Sequence, residues 1–166
     1  MFMTIRPETL ADIAAIYYVN EAAFGRPEEA RLVDALRQNH RVTLSLVAEE
    51  EGEIVGHILF FPLHIGKHSS LGLGPMAVVP SHQKQGIGSQ LVRAGIEALR
   101  KSRHTGIVVL VHPEFYPRFG FEKASKYGIT CPFEVPDEAF MALELRDGAM
   151  ANISGRVEYS PEFSEV

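Results

Sequence analysis

A chain of 166 residues suffices for one domain, since a chain of this length buries roughly 70% of its unfolded surface. Hydrophobic residues at 46% and charged residues at 22% exclude a disordered or fibrous chain. A formal charge of −5 excludes the basic footprint of a nucleic-acid binder, and one cysteine, Cys131, excludes an intrachain disulfide and argues against a cysteine-based zinc site.

Met3–Pro7 reads as a first strand, stopped by Pro7. Thr9 and Asp12 supply N-cap chemistry for a helix with Leu10, Ile13, Ile16 and Tyr17 on one face. Gly25-Arg26-Pro27 breaks it, and a second helix, Glu28–Gln38, turns Leu32, Val33 and Leu36 inward. Strands at 44–48 and 54–63 flank Glu50-Glu51-Gly52-Glu53, a hairpin signal whose glutamates read as a solvated tip. Residues 71–79 form another apolar strand, ended by Pro80. From 86 to 103, Ile87, Leu91, Val92, Ile96 and Leu99 recur at helical spacing, and Arg100, Lys101 and Arg103 suit the negative end of the dipole.

Residues 106–111 are a short continuous apolar run, the pattern of a strand buried in the middle of a sheet. A short helix is expected around 114–118, with Gly120 as its stop, then strands at 139–145 and 155–159. The longest apolar run, residues 58–63, is far short of the ~20 residues a membrane span requires. Nor do residues 1–8 show a basic region followed by an apolar one. The expectation is a soluble cytoplasmic protein whose residues 1–166 form a single mixed α/β domain.

The most informative segment is Gly74-Pro75-Met76-Ala77-Val78-Val79-Pro80 and its continuation, Ser81-His82-Gln83-Lys84-Gln85-Gly86-Ile87-Gly88-Ser89-Gln90-Leu91. A buried strand ends at proline, and a polar turn feeds a long helix through two glycines. The first N–H groups of such a helix lack intrahelical acceptors, and with the dipole they make an anion site that glycine lets a phosphate approach. A dinucleotide fingerprint needs a third glycine where Leu91 stands, and a P-loop needs Gly-Lys-Ser/Thr. On these residues alone, a glycine-softened helix start with no ligand stays open beside an anion site.

A longer pattern narrows the choice. Gln83-x-x-Gly86-x-Gly88, directly after Met76-Ala77-Val78-Val79-Pro80, resembles the acetyl-CoA-binding signature of the GNAT N-acetyltransferase superfamily. Gly106-Ile107-Val108-Val109-Leu110-Val111, followed by Phe115-Tyr116-Pro117-Arg118-Phe119-Gly120-Phe121, resembles that family's next strand and its F-Y-x-x-x-G-F motif. Ile5-Arg6-Pro7 with Asp12-Ile13 resembles its usual entry, and residues 135–145 are similar to a branch of bacterial members with unassigned acceptors.

The resemblance implies a central mixed, mostly antiparallel sheet of about six to seven strands with four helices, two adjacent strands splaying to admit pantetheine. It implies acetyl-CoA as cosubstrate and no metal. Met76, Ala77 and Val78 would pair with the pantetheine amides. Lys84, Gln85, Gly86, Ile87, Gly88 and Ser89 would hold the pyrophosphate, and Gln83 would shape the turn. Tyr116 would serve the leaving sulfur. The partner would be a small-molecule or protein amine, with no nucleic acid or membrane, and with room for a homodimer. A different class, a non-catalytic acyl-CoA-binding or sensing module that keeps Tyr116 for packing, stays open.

Chemistry bounds these roles. A phenol of ordinary pKa ~10 giving its proton to a thiolate of conjugate pKa ~8.5 is uphill by about 2 kcal/mol. A lysine-like acceptor is mostly protonated near neutral pH, so a base is needed, yet residues 71–79 carry no carboxylate. Glu21, His64 and His112 are the candidates, and water-relayed deprotonation or an amine that binds already neutral stays open beside them. His64 and His68 are four apart, but Pro62 and Gly66 argue against a zinc-binding helix there; Cys131 reads as a lone buried thiol. From 134 onward eight acids (Glu134, Asp137, Glu138, Glu144, Asp147, Glu158, Glu162, Glu165) face two bases (Arg146, Arg156), a net of −6. Part of that surplus, Glu138 and Glu144 among it, is expected either to attract a cationic acceptor or to be plain solvated surface.

Overall fold

A computed structural model describes residues 3–165. Among them are nine strands and three α-helices in a mixed α/β arrangement, with short 3₁₀ turns between. In chain order they are β1 (Met3–Pro7), α1 (Ile13–Phe24), α2 (Glu28–Gln38), β2 (Leu44–Glu50), β3 (Glu53–Ile65), β4 (His68–Val78), α3 (Ile87–Arg100), β5 (Gly106–Leu110), β6 (Glu122–Lys123), β7 (Ile129–Thr130), β8 (Phe140–Glu144) and β9 (Gly155–Glu158). The chain forms two compact units. One takes the chain through Phe61, then Gly74–Gly95 and the segment from Pro161; the other takes Pro62–Leu73 and Ile96–Ser160.

In the first unit β1, β2 and the start of β3 are antiparallel neighbours, with Ile5 opposite Ala48 and Val47 opposite His57. The end of β4 lies beside β3. Helix α1 starts three residues later than the apolar spacing suggests, because residues 10–12 form a 3₁₀ turn that leaves Leu10 87% exposed rather than inward. Asp12 holds that turn: its carboxylate accepts Thr9 N–H at 2.7 Å and both terminal nitrogens of Arg6 at 2.7 and 3.0 Å. The Arg6 bonds keep the Asp12 carboxyl well below the usual carboxylate range. Helix α2 keeps its expected limits, with Glu28 and Glu29 in its first turn, Arg37 in its last, and Leu32, Val33 and Leu36 buried.

Missing side chains seat α3 on β3. A Cβ on Gly56 would lie 3.1 Å from Leu91 and 3.2 Å from Ile87, and one on Gly95 would lie 2.4 Å from the Phe60 ring. Glycine at both places lets the helix approach the strand closely while Ile87, Leu91 and Val92 are buried. Each such side chain contributes about 1.5–3 kcal/mol when fully buried.

A polar chain crosses the same core. Asn20 Nδ2 donates to Ile16 O at 3.0 Å and lies 3.1 Å from His57 Nδ1. The amide NH₂ is a donor, so Nδ1 is the acceptor and the proton sits on Nε2, which donates to Ser45 Oγ at 2.9 Å. Burial pushes His57 down to about 4, so the ring is neutral. Burial would raise Glu8, but hydrogen bonds from Arg37 and Ser45 hold it below its ordinary value.

In the second unit β5 is buried between the start of β4, parallel to it at Leu71↔Ile107, and β8, antiparallel to it at Val108↔Ala142. β6 extends this sheet beyond β8, while β9 pairs antiparallel with the end of β3 and parallel with β7. Ser70 Oγ donates to Gly106 O at 2.9 Å, adding a side-chain tie between β4 and β5. The expected fourth helix is a single 3₁₀ turn, Tyr116–Phe119.

Candidate functional site

The first unit places the expected cofactor residues in continuous order at the end of β4, in the turn and at the start of α3. The parallel β4–β5 pairing ends at Gly72↔Val108, whereas β4 runs on to Val78. Val79 N–H donates to Val55 O at 3.0 Å, which keeps the β3 side of β4 paired to its end. The other edge of Met76, Ala77 and Val78 is unpaired among the described residues. Such an edge offers N–H and C=O groups to an extended ligand that carries amides.

Gln83 Nε2 donates to Val78 O at 2.9 Å and ties the turn to the strand it leaves. Lys84 (φ 62°) and Gly86 (φ 85°) are both left-handed, a conformation glycine adopts freely and lysine at a cost. Gln85 Nε2 reaches Ser81 O at 3.4 Å. Ser81 Oγ lies 2.8 Å from His82 Nδ1, and His82 Nε2 lies 3.2 Å from Glu50 Oε1. Glu50 therefore departs from the solvated-tip expectation: its side chain is 14% exposed and braces the turn, while Glu51 and Glu53 are exposed.

Gln90 N–H reaches Gly86 O at 3.1 Å, so the N–H groups of Ile87, Gly88 and Ser89 precede the helical ladder. With the dipole of a 14-residue helix behind them, they favour an anion beside exposed Lys84. Ile87 is buried and anchors the turn, while Gly88 and Ser89 are half-buried. A cavity of about 500 Å³ elsewhere in this unit, lined by Leu32, Ala35, Arg41 and Glu162 among others, contains none of the expected site residues.

Tyr116 belongs to the second unit. It is 3% exposed, with Phe115 and Phe121 rings at 5.1 and 5.5 Å, and its hydroxyl has no hydrogen-bond partner among the described residues. Burial pushes the phenol up to about 12. Such a hydroxyl is a neutral hydrogen-bond donor throughout the physiological range.

Glu21 in the first unit and His64 and His112 in the second are all exposed, and none has a side-chain partner among the described residues. Cys131 is half-buried rather than buried as expected, and accepts Phe133 N–H at 3.4 Å; its partial burial still pushes the thiol up, away from thiolate chemistry. No group of three His, Cys, Asp or Glu fit to hold a metal occurs among the described residues, and none of their helices is long and apolar enough to cross a membrane. Sequence reasoning missed Gly56, Gly95 and His82. A lone glycine inside a strand or helix is a detectable sign of close approach; the partner of His82, 32 residues away, leaves no local sign.

These features find counterparts in known proteins. Residues 41–123 match the acetyltransferase (GNAT) domain family model. The chain is 33% identical over 165 residues to the Escherichia coli K12 protein named uncharacterized N-acetyltransferase YhbS, covering 98% of this chain and 99% of that one. A crystal structure of E. coli YhbS in complex with CoA superposes with a TM-score of 0.93 over 98% of this chain and 92% of that chain, at 33% identity. A Brucella melitensis GNAT acetyltransferase in complex with acetyl-CoA gives 0.81 at 37% identity, covering 98% of each chain. The chain belongs to the GNAT N-acetyltransferase family.

Proposed function

We propose that residues 1–166 work as one cytoplasmic N-acetyltransferase domain that transfers acetyl from acetyl-CoA to a primary amine by direct attack in a ternary complex. The observation that carries this reading is the unpaired Met76–Val78 edge leading through the left-handed turn into the open N–H groups of α3. The CoA and acetyl-CoA complexes of the two similar proteins support it. Met76, Ala77 and Val78 pair with the pantetheine amides. Gln83 fixes the turn, and Lys84, Gln85, Gly86, Ile87, Gly88 and Ser89 surround the pyrophosphate. In the transfer the amine nitrogen bonds to the thioester carbonyl carbon, the C–S bond breaks, and a proton lost from nitrogen balances the one gained by sulfur.

Tyr116 hydrogen-bonds the departing sulfur. With its pKa near 12, full proton transfer to a thiolate of conjugate pKa ~8.5 is uphill by about 5 kcal/mol. Burial thus makes it a poorer acid than a free phenol, and its contribution is a hydrogen bond that strengthens as charge builds on sulfur. The acceptor must arrive neutral or be deprotonated through water, which for an amine of pKa ~10.4 costs about 4 kcal/mol near pH 7.4. The test is thiol release from acetyl-CoA across a panel of polyamines, amino acids and peptides. Amine-dependent release supports the reading; tight acetyl-CoA binding with no release from any amine supports the acyl-CoA-sensing alternative.

A further inference from the structure

The second unit contains a backbone feature that packing does not explain. Val111 (φ 70°) and His112 (φ 61°) are consecutive left-handed residues at the end of β5, the one such non-glycine pair among the described residues. A β-branched residue is among the least tolerant of this conformation. Val111 is also 46% exposed, so burial does little to offset the strain. A strained backbone persists where its surroundings over-determine it, and here they do. Val111 N–H donates to Ala139 O at 2.6 Å, fixing the chain on its β8 side. Pro113 follows directly, and the His112 carbonyl then accepts Phe115 N–H at 3.0 Å and, over a longer 3.4 Å, Tyr116 N–H. Gly120 N–H closes the turn on Pro117 O at 3.0 Å.

We propose that the left-handed Val111–His112 pair is a positioning device for Tyr116: it reverses the chain so that the His112 carbonyl receives the start of the 3₁₀ turn carrying the tyrosine. Glycine at 111 accepts the left-handed backbone without strain, whereas proline at 112, with φ fixed near −65°, excludes it. The inference rests on the proposed role of Tyr116 only for its catalytic consequence; the positioning itself is separately measurable.

The experiment uses the full chain labelled with 3-fluorotyrosine, the Tyr116 resonance being assigned by its loss in Tyr116→Phe. Wild type gives one ¹⁹F resonance for Tyr116. Val111→Gly, which keeps the left-handed backbone open and relieves the strain, is expected to keep that single resonance while Tm stays level or rises by about 2–4 °C; His112→Pro, which excludes the left-handed pair, is expected to shift, broaden or split it. Val111→Asn, whose side chain tolerates the left-handed region, is expected to keep the single resonance as well. An unchanged Tyr116 resonance in His112→Pro overturns the proposal, as does a change that spreads to the other tyrosine resonances, which marks a merely structural residue.

Turnover with acetyl-CoA and the most active amine of the panel adds a double-mutant cycle. His112→Pro is expected to lower kcat about 10-fold relative to His112→Gly, which also lacks the imidazole but keeps the left-handed backbone, without raising the KM for acetyl-CoA, and to have no further effect in the Tyr116→Phe background. An equal effect in both backgrounds overturns the positioning role. Wild-type turnover by Tyr116→Phe refutes the catalytic reading instead, and leaves the positioning to be decided by the ¹⁹F result.

Discussion

Acidification should strip stability from this protein in a window set by one buried residue. His57 is fully buried, and desolvation is the largest reason its pKa falls from an ordinary 6.5 to about 4; Arg37 adds to the fall and Glu8 opposes it. The unfolded chain therefore takes up a proton at this position before the folded one does. The stability is fully present above pH 6.5 and is lost as pH falls toward 4. Between pH 7.5 and pH 5 the loss is about 2 kcal/mol, approaching about 3 kcal/mol below pH 4, and the first step corresponds to about 4–8 °C in Tm. The assay is urea unfolding at a series of pH values for wild type and for His57→Gln, which can still hydrogen-bond to Ser45 and Asn20 but cannot titrate. Both proteins share the exposed histidines, so the difference of their pH profiles isolates His57. The variant should lose about 2 kcal/mol less between pH 7.5 and 5; parallel profiles would refute the assignment of a buried neutral ring.

Two substitutions probe how the cofactor turn is held. Gly95→Ala places a Cβ 2.4 Å from the buried Phe60 ring, so despite better helix propensity it should destabilise by about 1–3 kcal/mol, read as a lower urea midpoint; a neutral or stabilising result would mean that α3 does not press on β3 at Phe60. Gly86→Ala meets no atom within 4 Å but must hold φ near 85°. Its cost of about 1–2 kcal/mol should appear as roughly 10-fold weaker acetyl-CoA binding by calorimetry, and unchanged affinity would count against the turn as the pyrophosphate site.

Local signals in the sequence read well here, and distant ones read poorly. Helix α2 was legible to the residue because Pro27 stands at its N-cap and paired glutamates and three inward apolar residues lie within it. α3 stops at Arg100 rather than at 103, where the N–H groups of Lys101 and Ser102 turn to the carbonyls three residues back and Arg146, more than 40 residues away, takes the carbonyls of Ser102 and His104 at 2.9 Å. β6 and β7 are two residues long each, too short to show alternation. The segment expected to be helical at 114–118 carries Pro117, which suits a single 3₁₀ turn better than a propagating helix.

The site divides in the same way. Residues 76–89 were legible because strand, turn and helix start are contiguous in the chain, whereas the strain at Val111 and His112 has no composition signature. The C-terminal acidity also changes meaning. Asp137 pairs with Lys123, Glu144 Oε2 accepts Met150 N–H at 3.0 Å, and Glu162 grips Arg41 and Asn39. Among the described acids of that segment, exposed Glu134, Glu138, Asp147 and Glu158 are left to act on a cationic acceptor. Glu144 is better read as a loop brace.

The central claim is that this chain transfers acetyl from acetyl-CoA with Tyr116 hydrogen-bonded to the leaving sulfur. Steady-state turnover of Tyr116→Phe beside wild type, with acetyl-CoA varied against a saturating active amine, tests it most directly. The account predicts a kcat at least 10-fold lower, a loss of about 1.4 kcal/mol or more in transition-state stabilisation, with the KM for acetyl-CoA little changed. Turnover by the variant at the wild-type rate would contradict it.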